Sequence, residues 1–299
     1  MTATTPKIAR KHWSFFQRAR YLIIFKAIPW FIHHYFRFVI HDKEIGNSFP
    51  EGTPAAFCSN HQSNLDALIV GGAIAEPYGT RRFVSFMGNG YVMKENWLYR
   101  QLSWAGGFPV FHDNPSPALR FAVKTLKEGK AIFMSPQGKR VGKSPVDDYF
   151  NLPKEPRSGI GRVILLMNGK LPVVPMFIHG AGAALSRGGF LPRYKAYISV
   201  SFGDPLSFEE YEMEGGWKED DPEFFPTAKK IATRVMTAIN EQMLEQEQQF
   251  FKIIERKYKR PINQISEDLR KDRSFQRYLR NLCNYSPQEL QQTLDQLTP

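Results

Sequence analysis

Short apolar runs recur along this chain with helical stretches between them, and that alternation restricts the fold more than any other feature. Pro54–Ser59, Arg82–Met87, Ala131–Met134, Leu171–Ile178 and Tyr194–Phe202 have the length and apolar character of strands. Between them, Asp66–Ala75, Pro117–Glu128 and Ile160–Met167 show helical spacing, with Gly129 and Asn168-Gly169 as stops. Strands separated by helices predict an α/β fold: a mixed, largely parallel sheet flanked by helices. At 299 residues the chain can bury one large domain with decorations, or two smaller ones.

The two ends depart from this pattern. The first 41 residues carry seven basic side chains (Lys7, Arg10, Lys11, Arg18, Arg20, Lys26, Arg37), ten interleaved aromatics and no Asp or Glu. Basic groups suit anionic headgroups, and Trp, Tyr and Phe suit the interfacial layer. With Pro29 as a break, residues 1–42 are expected to form membrane-interfacial helices, a hairpin lying in the leaflet. The competing expectation is an ordinary helix pair packed on the core. A charged helical pattern runs from Pro226 to Lys257 until Pro261 breaks it. Residues 249–299 then read as a helical C-terminal extension, polar and solvated, beyond a central domain spanning 43–248.

Charge narrows the partners without choosing among them. Forty Lys+Arg against 29 Asp+Glu give a net charge of +11, suited to anionic lipid, acidic co-substrates or nucleic acid. No run of about 18 apolar residues is present to cross a bilayer as a helix. Cys58 and Cys283 lie far apart with no ligand spacing, so neither a disulfide scaffold nor a metal site is expected.

The segment Asn60-His61-Gln62-Ser63-Asn64-Leu65-Asp66 stands between a strand and an apolar helix. A turn there holds His61 at the sheet edge and places Asp66 in the first helical turn. The carboxylate can then orient one imidazole nitrogen while the other takes a proton from a hydroxyl. No activated serine is required, in contrast to a hydrolase triad, and no Gly-x-Ser-x-Gly elbow is present. Gly138-Lys139-Arg140-Val141-Gly142-Lys143-Ser144 has three residues between its glycines where a phosphate-binding P-loop needs four, and is rejected as one.

Four ordered blocks resemble the glycerolipid acyltransferase family that includes the 1-acylglycerol-3-phosphate acyltransferases, over roughly residues 45–245. They are Asn60–Asp66, similar to the family's His-x4-Asp block; Gly106-Gly107-Phe108-Pro109-Val110-Phe111-His112-Asp113; Phe133-Met134-Ser135-Pro136-Gln137-Gly138-Lys139-Arg140; and Leu171-Pro172-Val173-Val174-Pro175-Met176. The resemblance implies His61 as general base on an acceptor hydroxyl, Asp66 as its orienting carboxylate, and direct attack on the thioester of acyl-CoA or acyl-carrier protein. It also implies an acceptor phosphate held by Arg140 with Lys139, Gly138 allowing close approach, and Arg157 and His112 as further acceptor residues. No cofactor is implied beyond the acyl donor, and the expected partners are a membrane surface and anionic lipid rather than nucleic acid. The expected location is the cytoplasmic face of a membrane, held peripherally.

Two positions depart from the family pattern. Gln137 stands where the third block has Glu, and His112 where the second block ends in Arg. Both belong to acceptor recognition, so lysophosphatidate is the default acceptor, with another lysolipid, a glycolipid or a lipid alcohol as alternatives. A non-enzymatic protein binding membrane or single-stranded nucleic acid through the basic, aromatic N-terminus is the contrasting class.

Overall fold

The computed structural model describes residues 27, 29–46, 48–49, 52–78, 84–95, 106–111, 113–138, 155–185, 191–261 and 264–297. A helix at residues 29–35 (α1) leads into β1 (Arg37–His41), followed by α2 (Lys43–Gly46), β2 (Ala55–Ser59), α3 (Asp66–Tyr78), β3 (Val84–Asn89), α4 (Gly90–Glu95) and β4 (Gly107–Val110). Next come α5 (Ser116–Lys127), β5 (Ala131–Met134), α6 (Gly159–Leu166), β6 (Val173–His179), α7 (Ala181–Ala184) and β7 (Tyr197–Phe202). The chain ends in helices α8 (Phe224–Gln246), α9 (Gln248–Tyr258), α10 (Glu267–Lys271), α11 (Arg273–Leu282) and α12 (Pro287–Gln296).

The seven strands are ordered β1-β7-β6-β2-β5-β3-β4. β6, β2, β5, β3 and β4 run parallel; β7 is antiparallel to β6, and β1 parallel to β7. This is the mixed, largely parallel α/β sheet that the alternating pattern predicts. Strands covered on both faces have to be apolar throughout. In β2, Ala56 and Cys58 enter one core and Ala55 and Phe57 the other; β5 divides the same way, with Ile132 and Met134 opposite Ala131 and Phe133.

Crossover direction decides which helix covers which face. The chain passes from β2 over β5 to β3, then returns from β4 to β5 and from β5 to β6. A fixed right-handed crossover puts helices of opposite travel on opposite faces. Accordingly, α3 lies in one core with Ile69, Val70 and Ala73, while α5, α6 and α8 lie in the other. α8 buries Phe224, Ala228, Ile231, Ala232, Val235, Met236, Ile239 and Met243 at helical spacing. Its close approach to α6 needs a glycine: a Cβ on Gly161 would stand 1.9 Å from the Ala228 carbonyl oxygen. Gly161→Ala is expected to cost about 1–3 kcal/mol through overpacking, read as a lower urea midpoint with an unchanged slope.

Two sequence expectations require correction, and two strands were not anticipated. Residues 37–41, assigned to the interfacial helices, are β1. Pairing with β7 overrides the aromatic, basic context, and Ile32 and Phe36 just before it are buried in the α3-side core. The part of the expected hairpin at residues 1–26 and 28 lies outside the described residues. β4 escapes a pattern reading because it is four residues with a proline, tolerable on an edge strand. The C-terminal extension is not solvated. Phe250, Ile253 and Ile254 of α9, Phe275, Leu279 and Leu282 of α11, and Leu290 and Leu294 of α12 form a third core with Phe177 of β6 and Ala183 of α7.

Candidate active site

β2 and β5 are neighbours whose following helices cover opposite faces, so the chain parts between them at the carboxyl edge. Open α/β sheets bind ligands in such a crevice. Asn60–Asp66 follows β2, and Ser135–Gly138 follows β5, at this same edge.

The structure brings His61 and Asp66 together, with Nδ1 2.7 Å from Asp66 Oδ2. That one oxygen also accepts the backbone N–H groups of Gln62 at 2.7 Å and Ser63 at 2.9 Å. The Asp66 side chain is 2% exposed and that of His61 is 31% exposed, so the carboxylate is buried beneath a ring that reaches the surface. Three hydrogen bonds converge on this one oxygen in the first turn of α3 and fix the carboxylate's orientation. A carboxylate so placed accepts Nδ1–H and leaves Nε2 as the nitrogen able to accept a proton.

The turn is held from both flanks. Asn60 extends β2 by side chain: its Nδ2 donates to the Ile178 carbonyl at 2.9 Å and its Oδ1 accepts the Ile178 N–H at 2.8 Å. Ser63 Oγ donates to the Leu185 carbonyl at 3.0 Å, and Gln62 Oε1 accepts the Gly182 N–H at 3.4 Å. On the β5 side, Gln137 Oε1 accepts the backbone N–H of His61. Spacing gives no hint of that contact, since the two residues are 76 apart; it follows from β2–β5 pairing. The resemblance treats Gln137 as an acceptor residue, whereas here it also fixes the backbone of His61.

Among the described residues, Asp66 Oδ1, Ser135 Oγ and Gln137 Nε2 are buried without hydrogen-bond partners. Unused polar atoms at a crevice suit a polar ligand. Gly138 has φ +69°, and a Cβ there would lie 2.4 Å from Arg157 Cγ. The Arg157 N–H donates to the Pro136 carbonyl at 2.7 Å, so this exposed guanidinium-bearing residue lies beside Gly138 at the end of β5. Lys139, Arg140 and His112 lie outside the described residues. β4, which precedes His112, is two strands from β5, roughly 10 Å across the sheet. No group of three or more His, Cys, Asp or Glu among the described residues could hold a metal ion.

This geometry can move a proton at an alcohol oxygen, which is what acyl transfer to a hydroxyl requires. The acyltransferase family model matches residues 39–179, from within β1 to the end of β6. Among solved structures the chain is similar to the 1-acyl-sn-glycerophosphate (LPA) acyltransferase PlsC from Thermotoga maritima, with a TM-score of 0.47 and 17% identity over 76% of this chain and 84% of that one. No curated protein sequence matches. The matched span holds His61, Asp66, Gln137, Gly138 and Arg157 together with the strands that place them, and over that span the chain is similar to the acyltransferase family.

Proposed function

We propose that this acyltransferase moves a fatty acyl group from acyl-CoA or acyl-carrier protein to the free hydroxyl of a lysophospholipid, with 1-acyl-sn-glycerol-3-phosphate as acceptor and phosphatidate as product. The observation that carries the reading is the His61–Asp66 pair, with a buried carboxylate accepting three hydrogen bonds at the carboxyl edge of the sheet. His61 Nε2 takes the acceptor proton while Nδ1–H stays on Asp66. The alkoxide attacks the thioester carbonyl, the carbon–sulfur bond breaks, and the imidazolium returns its proton to the leaving thiolate. No acyl-enzyme forms. Orientation of two bound substrates supplies much of the remaining acceleration.

In this reading Arg140 grips the acceptor phosphate, supported by Lys139, Arg157 and His112, with Gly138 keeping the turn open. Arg157 beside Gly138 supports the phosphate end at the β5 edge. The protein works at the cytoplasmic face of a membrane, attached peripherally to anionic lipid. No helix of the described residues is long and apolar enough to span a bilayer.

One observation favours a second acceptor class. Gln137 is neutral, is bonded to His61 and keeps a buried amide N–H2 unpartnered, so it offers a donor where the family's Glu offers an acceptor. Another lysolipid, a glycolipid or a lipid alcohol fits that change. The deciding experiment supplies purified protein with one labelled acyl donor and each acceptor class in turn. Lysophosphatidate is expected to give the highest turnover; turnover only with uncharged alcohols would refute the phosphate-bearing acceptor.

A further inference from the structure

We propose that the carboxyl edge of the sheet is itself the lipid-docking face, built from α1 together with residues 191–195, which precede β7. The proposal rests on the peripheral-membrane reading above and extends it to residues 191–195, which lie outside the N-terminal basic segment.

Topology puts these parts on the site's edge. β1 and β7 run opposite to β2, β5 and β6, so their starts lie where those strands end. Arg37 pairs with Tyr197, and Ser199 with His179, the last residue of β6. What precedes Arg37 and Tyr197 therefore stands beyond the carboxyl end of β6, alongside the turn holding His61. The two pieces are bound to each other: Lys195 N–H donates to the Tyr35 carbonyl at 2.8 Å, and Tyr35 Oη donates to the Pro192 carbonyl at 2.7 Å. The second piece is also tied to the site, since Arg193 N–H donates to the Ala184 carbonyl at 2.8 Å and the next residue, Leu185, accepts from Ser63 Oγ.

These pieces expose apolar side chains that a folded core would have taken up. Leu191 is 78% exposed, Tyr194 65% and Trp30 63%. Two exposed rings, Phe31 and Tyr194, are joined through Tyr35. Phe31 stacks on Tyr35 at 4.8 Å between ring centres, and Tyr35 meets Tyr194 edge-on at 5.3 Å. Cations border the patch: Arg193 and Lys195 are exposed, and Lys195 Nζ sits 5.4 Å from the Tyr194 ring centre. Trp, Tyr and Leu flanked by Lys and Arg match an interface of acyl chains and anionic headgroups. In sequence, the first 26 residues carry six further basic side chains and no acidic one. A bilayer seated here would present a lipid hydroxyl at the edge from which His61 opens.

The test is flotation of the full chain with vesicles of phosphatidylcholine alone and of phosphatidylcholine mixed with phosphatidylglycerol. Trp30→Ser and the double variant Leu191→Ser/Tyr194→Ser are compared with wild type after matching thermal midpoints. Each variant is expected to partition into the anionic vesicles about tenfold less, since each removes exposed apolar area that the interface would bury; Tyr194→Trp should retain binding. Wild type that floats while the double variant floats equally well overturns the docking face and leaves the membrane reading intact. Wild type that floats with neither vesicle sinks both. Retention on single-stranded DNA, lost in the same variants and without flotation, would assign the face to nucleic acid instead.

Discussion

His61→Ala is expected to reduce the turnover number for acyl transfer by about 100- to 10,000-fold, the range a positioned general base contributes. The Michaelis constant for the acyl donor should change far less, because His61 meets the acceptor hydroxyl rather than the donor. Asp66→Asn should be comparably severe for a different reason. An asparagine amide nitrogen facing Nδ1 would donate where the carboxylate accepts, moving the imidazole proton to Nε2, the wrong nitrogen for a base. Asp66→Ala adds a folding cost: Gln62 N–H and Ser63 N–H, both now bonded to Oδ2, would lose their acceptor, at about 1–3 kcal/mol for each buried group. The measurement is steady-state kinetics with a competent acceptor, with folding checked by thermal melt. Wild-type turnover in folded His61→Ala and Asp66→Asn would remove the mechanism.

The second large effect concerns stability. Glu247→Ala is expected to destabilise the fold by about 3–5 kcal/mol, the usual consequence of removing one partner from a buried charged pair. Glu247 falls at the break between α8 and α9, and its carboxylate meets His179 Nδ1 at the end of β6. His179 Nε2 donates to the Cys283 carbonyl at 2.9 Å, so both ring nitrogens face acceptors. Burial by itself lowers the His179 pKa. The attraction of Glu247, the hydrogen bond to it and the Cys283 carbonyl together outweigh burial and raise it above the ordinary histidine value.

That direction sets the pH dependence. A folded-state pKa above the unfolded value of about 6.5 means folding holds the imidazolium proton more tightly. The stabilisation is complete below about pH 6.5 and declines as pH rises through the folded-state value. Urea midpoints measured from mildly acidic to alkaline pH should therefore fall for wild type. In Glu247→Gln, which removes the charge that raises the pKa, the midpoint should vary less. A variant with the wild-type pH slope would show that Glu247 is not the source. The contact also bears on the site. Ile178, next to His179, carries both hydrogen bonds of Asn60, so the C-terminal helices brace the strand that positions the His61 turn.

The legible parts of this protein are those whose signal is local. Ala55–Ser59 running into Asn60–Asp66 shows a strand, a turn and a helix start in a dozen residues, and the ordered blocks carry the family resemblance before any coordinate. The missed parts lack a local signal. β1 hides in a basic, aromatic segment because its strand state comes from β7, about 160 residues away. The helices after residue 249 look solvated because charged residues flank their apolar positions. Phe177 and Ala183, which those helices cover, show no sign in sequence of needing a cover.

The same division runs through the site. Local sequence determined which base and which carboxylate could work together, because five residues of turn and one helical turn can close that hydrogen bond unaided. Only the tertiary structure decided that Gln137 holds the His61 backbone, that Asn60 is sewn to Ile178, and that α1 and residues 191–195 share the edge of the sheet with the base. Each of those contacts depends on strand order and direction. Order and direction are set by burying both faces of the whole sheet at once, and no single stretch of the chain carries that information.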